Sequence, residues 1–164
     1  MNEQELLVRS QLIPLHNMRM VLPNTAIAEV ISYYKPQSME GMPPWFIGRF
    51  VWRGLQIPLI SLETAALDQA PETGRRSRII VLNTLTGSNQ IPFYGIISQG
   101  IPRLMGLDHT TILDAPNAQE GQKFVLRQVL VEGHPAVIPD LNAMEGEMAA
   151  LGVTVIQEHS QVVG

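Results

Sequence analysis

Val51-Trp52-Arg53-Gly54-Leu55-Gln56-Ile57-Pro58-Leu59-Ile60-Ser61-Leu62 carries two apolar runs parted by Arg53-Gly54. Glycine takes φ > 0 without a steric penalty, so a charged residue and a Gly between two such runs predict a tight hairpin. The strands are expected over residues 45–53 and 55–62. The second run closes on Ser61 and Leu62, and Thr64-Ala65-Ala66-Leu67 predicts a short helix. The pattern returns 79 residues later (133 − 54) as Leu130-Val131-Glu132-Gly133-His134-Pro135-Ala136-Val137-Ile138-Pro139-Asp140-Leu141. The order is the same: strand, charged-Gly turn, apolar strand, small polar residue, Leu, helical stretch. Only the Gly and the final Leu are identical. An echo at half of 164 residues predicts two similar β units sharing one core.

Working outward, residues 12–15 and 19–22 predict another hairpin around His16-Asn17, with Pro14 at a strand end. Asn24-Thr25 suits a helical turn or tight bend over residues 26–31. Residues 78–84 and 91–98 form a further apolar pair. The polar stretch 68–76 reads as a mid-chain linker, 101–107 as irregular (Pro102, Gly106) and 113–122 as loop. Residues 141–151 predict a helix, residues 153–156 an apolar run that can pair, and residues 1–11 and 157–164 flexible ends.

Composition agrees. Thirteen Gly and 12 Pro in 164 residues disfavour a helical bundle. Apolar residues make up 45% and charged residues 16%, which argues for a packed core. Zero Cys excludes disulfides, thiolate metal sites and Cys nucleophiles. A net charge of −4 offers no footprint for nucleic acid. The acidic start Met1-Asn2-Glu3-Gln4-Glu5 lacks signal-peptide character, and no apolar stretch approaches the roughly 20 residues of a membrane span. A cytoplasmic protein without membrane insertion is expected.

Catalytic patterns are missing. His16, His109, His134 and His159 lack metal-ligand spacing, and neither a nucleophile elbow nor a phosphate-binding glycine loop occurs. Glu145 and Glu147 read as exposed, whereas acid–base work needs shielded carboxylates. Arg75-Arg76-x-Arg78 is the single basic run, suited to a solvated turn or an acidic partner patch. Strand alternation sets Phe46, Phe50 and Trp52 on one face and Trp45 opposite, where an exposed aromatic would suit an interface.

Gly48-x-x-x-Trp52-Arg53-Gly54 followed by Ile57-Pro58-Leu59-Ile60-Ser61-Leu62 resembles the core motif of CheW-like coupling domains. Upstream, Leu22-Pro23 and Ala26-Ile27-Ala28-Glu29-Val30-Ile31 resemble the family's Val-x-Glu-Val segment. Downstream, Gly133 with Ile138-Pro139-Asp140-Leu141 resembles its closing element. The resemblance covers residues 12–148. It implies a mainly β fold of two SH3-like five-stranded β-barrels around a shared core, with short helices and a linker near 68–76. It also implies a non-enzymatic scaffold without cofactors, which couples chemoreceptor cytoplasmic tips to the regulatory domain of a CheA-type histidine kinase. By position, Glu29 and Arg53 match a pair near the receptor groove in relatives, and Trp52 and Gly54 complete the expected binding set. Three positions depart from the pattern: Val51 replaces Asn, Trp52 replaces Leu and Ser61 replaces Asp. The Trp-Arg-Gly variant resembles accessory ChpC-type members of type IV pilus and twitching systems. The competing expectation is a small-molecule-binding β-barrel, with Trp45, Trp52 and residues 107–114 lining a pocket. A hydrolase built on His109 and Asp114 ranks third.

Overall fold

The computed structural model describes residues 8–108, 111–116 and 121–157. Two curled six-stranded sheets face each other. The chain runs β1 (Val8–Leu15), β2 (Met18–Pro23), a 3-10 turn (Asn24–Ala26), β3 (Ile27–Ser32), β4 (Phe46–Trp52), β5 (Leu55–Ile60) and α1 (Leu62–Leu67). It continues through β6 (Arg78–Asn83), β7 (Phe93–Ser98), β8 (Arg103–Leu107), β9 (Ile112–Asp114), β10 (Val125–Val131), β11 (His134–Pro139), α2 (Leu141–Ala150) and β12 (Ile156–Gln157).

The first sheet is ordered β8-β1-β2-β11-β10-β9. The second is β12-β5-β7-β6-β3, with β4 on the other edge of β5. Both contain one five-strand pattern. A hairpin (β4–β5 or β10–β11) lies parallel to the second strand of another hairpin (β6–β7 or β1–β2), whose first strand pairs with a further strand (β3 or β8). The half-length echo is therefore a real repeat. The second copy, however, takes its closing hairpin from the N-terminal end of the sequence. Residues 68–76 thus join two members of the second sheet, and the chain changes sheet after β2, after β7 and after α2. β9 and β12 bring each sheet to six strands, one more than the resemblance implies.

Both charged-Gly turns take the geometry their sequences require. Arg53 and Gly54 have φ of 48° and 76°, and Glu132 and Gly133 have 51° and 81°, the paired positive angles of a turn that matches strand twist. Both echo helices are capped alike: Ser61 Oγ accepts from Thr64 N (3.2 Å) and the Asp140 carboxylate accepts from Ala143 N (3.0 Å). Gly48 is required by close approach. A Cβ there would lie 2.2 Å from the Gln37 carbonyl oxygen, which receives the Arg49 amide at 2.8 Å.

The apolar runs lack polar alternation because several strands are buried on both faces. Ile79, Val81, Ile97, Phe50, Trp52, Ile57 and Leu59 fill the second unit, whereas Leu12, Val21, Val129, Val131 and Ala136 fill the first. Their neighbours Ile80, Leu82, Ile96, Ile60, Ile13, Met20, Leu22 and Val137 point the other way and form the core between the sheets with Tyr94 and Met144.

Several expectations change. Residues 27–32 are a strand, not a helical turn, because β6 supplies a ladder partner that local sequence does not reveal. Residues 103–107 form β8, paired with β1, and 112–114 form β9 on β10. β1 begins within the expected flexible lead-in, held between β2 and β8. Glu145 is buried rather than exposed. Trp45 is buried too, and at the register shift between Phe46 and Gly48 the strand changes face, so that Phe46 joins Trp45 in the core between the sheets instead of sharing the face of Phe50 and Trp52. The Trp45 ring meets Phe124 edge-on at 4.8 Å.

Two buried carboxylates fasten the units reciprocally. Glu63 of α1, beside the second sheet, reaches the β1–β2 tip and accepts from His16 N (2.6 Å) and from Gln99 Nε2 (3.2 Å). Glu145 of α2, which follows the first sheet's hairpin, reaches the β6–β7 connection. It accepts from Thr84 Oγ1 (2.5 Å), the amides of Leu85 (2.9 Å) and Thr86 (3.0 Å), Thr86 Oγ1 (2.9 Å) and Tyr94 OH (2.7 Å).

Candidate functional site

Glu29, Trp52, Arg53 and Gly54 come together at one end of the second sheet. The type of turn at 53–54 makes Arg53 the first corner residue, beside the last residue of β4. Curling of the sheet brings β3, with Glu29, across to meet it. Glu29 Oε2 accepts from the Trp52 indole Nε1–H at 3.3 Å and pairs with Arg53 Nη2 at 3.4 Å. The Arg53 guanidinium sits 4.7 Å from the centre of the Trp52 ring. Trp52 is 6% exposed and also packs on Phe93 at 4.9 Å. The indole is thus a buried platform that orients two charged groups at the surface. An ion pair with a 66% exposed Arg side chain adds about 0–1 kcal/mol of stability, so its worth lies in presentation to a partner. Beside it Val51 is exposed, and its carbonyl accepts from Tyr34 OH.

A mirror-image arrangement occupies the equivalent end of the first sheet. Glu132 holds the corner equivalent to Arg53, since 53 + 79 = 132. It pairs with Arg103 of β8, the counterpart of β3, at 3.7 Å. The charges are exchanged. The 79-residue echo is the signal that could have found Glu132 in sequence. Its partner on β8 was hidden because that segment reads as irregular.

An open apolar groove of about 340 Å³ runs between the sheets. It is lined by Leu22, Pro23, Ile138 and Pro139 of the first sheet and Asn83 of the second, with Leu85 and Leu126 exposed beside it. No local sequence pattern marked Leu85 or Leu126, which converge from separate sheets.

Trp45 and Trp52 lie in different core clusters, so the two indoles expected to line a small-molecule pocket are not brought together, and residues 109–110 of the expected lining lie outside the described residues. Asp114 accepts from Arg127 Nη2; His109 and His159 lie outside the described residues. Among the described residues no group of three or more His, Asp or Glu could hold a metal ion, and no helix is long and apolar enough to cross a membrane. The described chain is therefore a mainly β protein of two sheets, with a groove and charged strand ends at its surface.

The comparisons place it more narrowly. The profile of the CheW-like domain matches residues 10–147. The crystal structure of the scaffolding protein TtCheW from Thermoanaerobacter tengcongensis superimposes with a TM-score of 0.68 at 19% identity, covering 83% of this chain and 86% of that one. No curated protein matches the chain. The chain belongs to the CheW-like domain family, a family of scaffold proteins of chemotaxis signalling.

Proposed function

We propose that this chain couples chemoreceptor cytoplasmic tips to the regulatory domain of a CheA-type histidine kinase, acting in the cytoplasm without a cofactor or a catalysed step. The observation that carries this reading is the convergence of Glu29, Trp52 and Arg53 on an exposed sheet end, with the indole fixing both charges. Family membership supports it. The groove between the sheets suits an amphipathic receptor helix, since its lining is apolar and Leu85 and Leu126 stand exposed beside it. A barrel edge on the kinase would dock against strand rims such as β4, where Val51 is exposed.

The test is a titration of the chain with receptor tips and with the kinase regulatory domain from the same cell. Both are expected to bind. Arg53→Glu places two carboxylates side by side and is expected to weaken receptor recruitment about tenfold, with an unchanged circular dichroism spectrum. Wild-type recruitment by the folded variant removes Arg53 from the site; failure of both partners to bind removes the coupling reading.

The Trp52-Arg53-Gly54 variant supports an auxiliary place in a system controlling type IV pili and twitching. Loss of twitching with intact flagellar chemotaxis in a deletion strain is the expected outcome.

A further inference from the structure

The basic run at 75–78 is built into the fold as a braced turn. Ser77 N donates to Gly74 O at 3.0 Å, and Gly74 N donates back to Ser77 Oγ at 2.9 Å. Arg75 and Arg76 hold the two corner positions and are exposed. Arg78, the first residue of β6, folds back so that Nη1 donates to the carbonyls of Arg75 and Ser77, both at 2.9 Å. The third arginine thus fastens the turn that presents the other two. The β3–β6 ladder continues past the strands, with Tyr33 N donating to Ser77 O at 3.2 Å. That places exposed Lys35 at the same end of the sheet. Arg75, Arg76 and Lys35 have no ion-pair partner among the described residues. Four of the chain's 11 cationic residues therefore gather at one place on a molecule of net charge −4.

Fixing the backbone that carries the two arginines lowers the entropy lost when they engage an anion. We propose that the 74–78 turn docks a short acidic segment of a protein partner. The patch is small and the remainder of the chain carries a net negative charge, so a long polyanion or an anionic membrane would be repelled beyond the contact, whereas a few carboxylates match it. The turn lies where β6 begins and β3 ends, away from Arg53 where β4 ends. Both surfaces can be occupied at once, and this inference does not depend on the coupling reading.

The test uses the full chain and a fluorescent oligoglutamate peptide, read by anisotropy at low salt. The wild type is expected to bind, and Arg75→Glu with Arg76→Glu to weaken binding about tenfold or more. Arg9→Glu with Arg127→Glu makes the same change in net charge on exposed strand positions elsewhere and is expected to stay within about twofold of wild type. Equal losses in the two double variants would mean that overall charge, not this turn, holds the peptide, and would overturn the proposal. So would an absence of wild-type binding, or tighter binding of phosphatidylglycerol vesicles or a single-stranded oligonucleotide than of the peptide.

Discussion

The two helices each send a buried carboxylate to the other unit's hairpin, yet the two carboxylates live in different surroundings. Glu63 has few donors, the His16 amide and the Gln99 side-chain amide. Burial pushes its carboxyl above the usual range, and those hydrogen bonds, with the nearby His16, only partly oppose the shift. Burial would raise the Glu145 carboxyl as well, but donors from Thr84, Leu85, Thr86 and Tyr94 outweigh it and hold the group below its ordinary value. Burial drives the Tyr94 hydroxyl upward, and its contact with Glu145 adds to the shift. Donor supply, not depth, thus separates a carboxylate that costs stability when charged from one that contributes it.

That contrast is broken most directly by Glu145→Ala. The change strands the Tyr94 hydroxyl and the amides of Leu85 and Thr86, and a loss of about 3 kcal/mol or more in urea unfolding is expected. Glu63→Gln is the opposite case. It keeps an acceptor for the His16 amide and removes a poorly solvated charge, so a gain of up to about 1 kcal/mol near neutral pH is expected. The pH profiles sharpen the point. The folded Glu63 carboxyl binds its proton more tightly than the unfolded one, so its contribution weakens stability as pH rises from about 4.5 through its folded pKa. Glu145 contributes stability that is complete above about 4.5 and lost as pH falls through its depressed folded pKa. The gain of Glu63→Gln over wild type should therefore grow from acid to neutral pH. A gain that shrinks over that range would remove the asymmetry.

The hairpin corners allow a second, smaller comparison. Arg53 and Glu132 both sit at positive φ, where Asn is tolerated better. Arg53→Asn and Glu132→Asn should each raise thermal stability slightly, by about 0.5–1 kcal/mol, although each loses its ion pair. The smallest effect expected is that of Arg103→Ala, within about 0–1 kcal/mol by denaturant titration, since its pair with Glu132 is exposed on both sides.

How much was legible follows from where each signal resides. Gly54 and Gly133 announced the two hairpins, because a tight turn imposes a local backbone requirement that only a few residues meet. The pairing of Glu29 with Arg53 was expected from resemblance and is present, with Trp52 donating to the same carboxylate. The burial of Glu145 was not legible because its donors lie about 60 residues away. β8 escaped because Pro102 and Gly106 obscure its pattern, while its ladder partner β1 lies at the far end of the chain.

The amino-acid sequence by itself thus determined the hairpins, the turns between them and the helix after each echo strand, which rest on residues within about a dozen positions of one another, and it showed the half-length repetition as the same local pattern written twice. Tertiary structure alone decided which strands become neighbours, that the N-terminal hairpin completes the second repeat, that two carboxylates are buried, and that Arg103 answers Glu132. Those outcomes depend on burial and pairing between distant segments, and the free energy of such contacts exists only once the sheets have closed on one another.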